Sequence, residues 1–247
     1  PDVPLDDATV HVAGGDTLSV TLSLTEVQRI TALSISNVPG GDGSTPVVLD
    51  VDAGALKDMG ANPVAEEDGN PVAETADTKK PVVTGVTLNY NNDDKRLVVT
   101  FDETIDVGTV APSKFFINDA AGFPNNMDLT GATVDTFRDT VYVTITLSEA
   151  QRVAAVAMSG TPGGNTGAVV LDLDAEAVTD RGTNTVAAVD GLAVTETADG
   201  LKPTVTGVTL NYNDNDRRLV VTFSETIDVS LVTLSGLHLN DVATQDN

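Results

Sequence analysis

Cysteine and tryptophan are both absent from this 247-residue chain. Without cysteine there is no disulfide, no thiol nucleophile and no thiolate metal site. Aromatics make up 4% of the residues, so a core must be built from Val, Leu, Ile and Ala. Basic residues are also scarce, 13 Lys and Arg against 37 Asp and Glu, for a formal net charge of −24. Binding a phosphate backbone requires Lys/Arg clusters, and none is present, so no nucleic-acid partner is expected. No apolar run approaches the roughly 18 residues of a spanning helix, so no membrane insertion is expected. No secretory signal, nucleophile elbow, P-loop or dinucleotide fingerprint is found, and the chain is expected not to be an enzyme. His11 and His238 align with Asp135 and Phe116, which argues against a repeated histidine centre. Asp172 and Asp174 share a strand face, but no aromatic sugar platform accompanies them for glycoside chemistry. So acidic a surface implies screening by concentrated salt, bound divalent cations, or both.

What the chain does have is a repeat. Residues 81–106 and 203–228 match at 21 of 26 positions, at an offset of 203 − 81 = 122. Thr25-Glu26-Val27-Gln28-Arg29 recurs as Ser148-Glu149-Ala150-Gln151-Arg152, and Val48-Leu49-Asp50-Val51-Asp52 as Val170-Leu171-Asp172-Leu173-Asp174. A fixed period of this length marks an array whose units stack on their neighbours. One complete unit spans 77–198. Residues 1–76 correspond to its later part and 199–247 to its beginning, in nearly perfect phase. Two readings fit: a window of a longer tandem protein, or a subunit that donates half a domain to its neighbour. Both predict a head-to-tail row of identical units, with the chain itself as partner.

Period-2 alternation is clear in Val141, Val143, Ile145 and Leu147, with Tyr142, Thr144 and Thr146 on the other face. Leu18, Val20, Leu22 and Leu24 repeat it. Leu97, Val99 and Phe101 form another inward row, as do Val86, Leu88 and Tyr90. With 115–118, 132–137, 168–173 and 193–197, about seven short strands per unit are predicted. Turns at Asn91-Asn92-Asp93-Asp94, Pro39-Gly40-Gly41-Asp42-Gly43 and Pro162-Gly163-Gly164-Asn165 punctuate them. The fold class expected is all-β, tandem Ig-like antiparallel sandwiches. Ser148/Gln151 and Thr25/Gln28 are capping boxes, each opening one short helix per unit.

The run Pro-x-x-x-x-Val-x-Leu, then LVVTFDETID, a D-x-x-x-N loop (Asp180 to Asn184) and a strand ending at Asp199 resemble the SwmB-type and related bacterial Ig-like modules. The likeness covers the whole chain, as one full and two partial modules. It implies tandem repetition in a large microbial surface or secreted protein. The family pattern often has Gly directly before the Asn; here Gly182 and Gly60 stand two places before Asn184 and Asn62.

Topology gathers the acidic motifs. Strand 82–90 leaves the linker and 96–101 returns, so Glu103 and Asp106 end beside Asp77. Strand 168–173 runs toward the same pole and delivers Asp172, Asp174, Asp180 and Asn184. The split unit would assemble the same set from Asp199, Glu225 and Asp228 with Asp50, Asp52, Asp58 and Asn62 of a neighbour. Hard oxygen donors without His or Cys suit a structural Ca²⁺, whereas solvated turn carboxylates are the simpler alternative. The expected function is structural: an extracellular filament, sheath or surface layer (S-layer) at the cell surface, its junctions rigidified by calcium. The alternative is an adhesin stalk or a carbohydrate-binding repeat of a larger secreted protein.

Overall fold

The computed structural model describes residues 2–11, 16, 18–43, 45–119, 127–161 and 167–240. The expected turn at 162–165 lies outside them. Contacts divide the chain into two compact bodies, one ending at Asp199 and the other starting at Gly200. The first repeat fragment therefore packs with the complete repeat.

In the fragment, β1 (Thr9–His11) pairs antiparallel with β2 (Thr21–Ser23). Helix α1 (Glu26–Ile35) follows, then β3 (Val48–Val51) antiparallel to β4 (Glu67–Pro71). The α1 box is complete: Gln28 N–H donates to Thr25 Oγ1 and Thr25 N–H to Gln28 Oε1.

The complete repeat comprises β5 (Val83–Asn89), β6 (Arg96–Asp106), β7 (Phe115–Asn118), β8 (Met127–Asp128), β9 (Thr133–Val134) and β10 (Thr140–Thr146). Helix α2 (Glu149–Met158) comes next, opened by the matching Ser148 box. Then come β11 (Val170–Leu173), β12 (Thr179–Asp180), β13 (Val189–Ala193) and β14 (Thr195–Thr197). One sheet has the order β14-β5-β6-β10-β9, with β12 also on β6; the other runs β13-β11-β7-β8. Both contribute to one core of Val86, Leu88, Tyr90, Leu97 and Val99 with Phe115, Ile117, Leu171 and Leu173. The inward rows of the complete repeat read from alternation are buried, whereas the matching row of the fragment, Leu18, Val20, Leu22 and Leu24, is exposed because no facing sheet covers it among the described residues.

The chain is mostly β, in several small sheets. Two features depart from a simple seven-strand antiparallel unit. β14 runs parallel to β5, and 189–197 is two strands that change sheet at Val194. β13 also carries a bulge, with Gly191 at φ +73 and a register shift against β11 between Leu171 and Leu173, so alternation fails there. β12 is two residues long, too short for any periodicity to announce it.

The second body holds β15 (Val205–Leu210) antiparallel to β16 (Leu219–Phe223), repeating the β5–β6 hairpin.

Candidate junction site

Asp77, Glu103 and Asp180 each bring a carboxylate oxygen to within 4.8 Å of the others. They come from the linker before β5, the far half of β6, and the end of β12. β6 is long enough to reach the linker because β12 pairs with its last residues, Asp180 opposite Ile105. Glu103 and Asp180 are 5% and 2% exposed. Asn184 holds Asp180 in place, its N–H on Oδ1 at 2.8 Å and its Nδ2 on Oδ2 at 3.0 Å. The same Nδ2 donates to the Asp77 carbonyl at 3.3 Å, tying the loop to the linker. Gly182 lies so close that a Cβ would stand 2.6 Å from the Asp77 Cβ.

A group missing from the expected set sits among these carboxylates. Arg29 of α1 donates through Nη1 to Asp77 at 2.8 Å and lies 3.6 Å from Glu103 through Nη2. Glu26, one turn back, grips the other edge of the guanidinium at 2.7 and 2.8 Å and accepts the Thr104 N–H at 3.0 Å. Beside it, Gly40 approaches the Arg181 carbonyl so tightly that a Cβ would meet it at 1.7 Å. These contacts join the fragment to the complete repeat. The signal was present in the sequence: Glu-x-x-Arg recurs in both copies, as Glu26/Arg29 and Glu149/Arg152.

One guanidinium faces three carboxylates, Glu26, Asp77 and Glu103, and Asp180 adds a fourth beside them. Burial first, then the charges of Asp180 and Asp77, push Glu103 up to about 7 against the opposing pull of Arg29 and Lys79. Asp180 is raised, chiefly by burial. Burial works against Glu26 as well, but hydrogen bonds from Arg29 and Thr104 outweigh it and hold that carboxyl low.

The other expected ligands lie elsewhere. Asp172 accepts from Asn118 Nδ2 at 2.5 Å and Gly191 N–H at 2.6 Å, pinning the bulge. Asp50 does the same for Gly69 N–H at 2.6 Å. Asp106 caps a one-turn helix through Gly108 N–H, and Asp228 through Ser230 N–H. Asp174 and Asp52 are exposed at strand ends. Asp58 and Asn62 repeat the Asp180–Asn184 clasp in an exposed loop. Asp199 takes Arg152 Nη1 at 2.7 Å, as Asp77 takes Arg29. Glu225 follows β16 in the second body.

No family model matches the chain, and no curated protein matches it. A similar solved structure is that of the N-terminal part of the bacterial S-layer protein SbsC, 17% identical. The match covers 55% of this chain and 27% of that one, with a TM-score of 0.30. A likeness at that level decides neither architecture nor function. Among the described residues, no helix is long and apolar enough to cross a membrane.

Proposed function

We propose that this chain is a structural repeat protein whose Ig-like β-sandwich units join head to tail into an extracellular filament, sheath or surface layer. One observation carries the reading. Residues that form the core of the complete repeat have counterparts in both partial repeats, and most of those counterparts are exposed while the rest are half-buried. Tyr90 is 0% exposed and Tyr212 86%; Ile145 is 0% and Leu22 40%; Leu171 is 0% and Leu49 44%. The exposed set divides cleanly: β15 and β16 carry one half of a sandwich core, β2 and β3 the other. Unpaired strand edges and apolar faces of this kind are complementary to each other and costly to leave in water.

A polar detail supports the same match. In the complete repeat Glu196 accepts from Tyr90 OH at 2.6 Å and Ser159 Oγ at 2.5 Å. In the fragment Glu74 accepts from Ser36 Oγ at 2.5 Å, and the tyrosine of its own repeat is not in the fragment. Tyr212 of a neighbouring copy is the residue that would supply it. Whether that copy continues the same polypeptide or is a separate one, the same faces meet. The array is also what the SwmB-type resemblance implies.

The second reading, a carbohydrate-binding repeat, has its own observation. An open depression of about 880 Å³ is lined by Phe137, Tyr142, Arg96, Arg138 and Asp139, and Phe137 is 95% exposed. Ser19 stands where the other copy has Tyr142, so such a platform does not recur with the repeat. Electron microscopy of the purified 247-residue polypeptide, with sedimentation across concentration, tests the proposal. Thin threads with a regular axial repeat and a concentration-dependent sedimentation coefficient are expected. Particles that remain single at all concentrations would overturn it.

A further inference from the structure

The carboxylate triad carries more charge than its surroundings satisfy. Arg29 is the cation in contact with it, and that guanidinium is already gripped by Glu26. Glu103 Oε1 is buried and has no hydrogen-bond partner. An unmade bond to a buried charged oxygen costs the full desolvation of that group, so such an atom calls for a ligand. A hydroxyl or amide would have satisfied it, and none of the described residues supplies one. Beside the Arg29 guanidinium, the groups gathered at Glu103 are two more carboxylates, Asp77 and Asp180, the latter fixed by two bonds from Asn184.

The spacing is informative. Two oxygens bound to one Ca²⁺ at about 2.4 Å can be no more than about 4.8 Å apart, and the three carboxylates fall within that limit. The donors are hard, with no nitrogen or sulfur among them, which disfavours zinc and copper. They come from three separate elements held in place by β12 pairing and by the close Gly182–Asp77 approach, so the cluster is largely preformed. Mg²⁺ demands a tighter octahedron and retains its water more strongly than this buried, protein-walled site favours.

We propose that Asp77, Glu103 and Asp180 bind one divalent cation of the calcium class at the linker, with Glu103 Oε1 as the ligand oxygen now unmatched. The cation would neutralise the excess charge and fasten the linker to the far end of β6 and to the 180–184 loop. It adds a ligand to the array reading and stands whether or not copies assemble.

Thermal unfolding of chelator-treated 247-residue protein, followed while CaCl₂ is added at constant ionic strength, tests this. At calcium a hundredfold above half-saturation the midpoint should rise by about 5–10 °C. MgCl₂ should give a smaller rise. Glu103→Gln removes a charge without changing shape, so it should fold, melt higher than wild type in chelator, and lose the calcium response. An unchanged wild-type midpoint would overturn the site. So would a calcium response of the same size in Glu103→Gln, which would place the ion elsewhere on the acidic surface. Sedimentation of the same samples separates this outcome from failure of the array.

Discussion

Glu103 sits where burial and the charges of Asp180 and Asp77 oppose ionisation, and its behaviour with pH follows from that. Its carboxyl is raised to about 7, so between its ordinary value near 4.5 and 7 the folded state holds a proton that the unfolded state releases. Stability through this group is therefore greatest below about pH 4.5 and declines as pH rises toward 7. In chelator, wild type minus Glu103→Gln should show that slope in urea midpoints measured from pH 4.5 to 8. A flat difference would mean the carboxylate is not strained. Arg152 tests the opposite sign of charge. Its side chain is 5% exposed and donates to Asp199, Glu149 and the Tyr90 carbonyl. Arg152→Ala, which takes a buried guanidinium away from a buried carbonyl and two half-buried carboxylates, should cost about 2–3 kcal/mol by urea denaturation. The convergence of Asp77, Glu103, Asp180 and Asn184 was readable because strand direction alone carries motifs to a pole. Asp172 was not separable from that group by the same means. Its side chain turns to a bulge, and bulges are invisible to a direction argument. Arg29 escaped because a basic residue in a short helix reads as surface until its three-dimensional neighbours are known.

Elements follow local chemistry closely where the signal is strong. Both capping boxes form as their sequences dictate, with the same atoms in the same roles. Ser148→Ala should therefore destabilise the complete repeat by about 1 kcal/mol, read as a lower urea midpoint with unchanged slope. The inward rows of β5, β6 and β10 were legible because alternation over five or more residues leaves little choice of face. The 132–137 segment shrank to β9, and the strand expected at 193–197 is divided between the end of β13 and β14, for a shared reason. Short strands beside bulges are fixed by their partners, not by their own periodicity. The parallel β14–β5 pair has no local signature, since its partners lie over a hundred residues apart and only the returning chain sets their direction.

At the scale of the whole molecule, the complete repeat supplies a template for how neighbours should join. In it, Thr146 lies opposite Arg96 and Ile145 opposite Leu97 on β10 and β6. By the repeat, Ser23 should lie opposite Arg218 of another copy, and Leu22 opposite Leu219. The chain has no cysteine of its own, so an engineered pair reports without background. Ser23→Cys and Arg218→Cys together place thiols on facing residues whose Cα separation suits a disulfide. Mild oxidation of that double variant should give a ladder of covalent multimers on denaturing gels, and the two single variants, mixed, a heterodimer. A disulfide that closes within one chain, or cross-links only between like positions, would contradict head-to-tail completion.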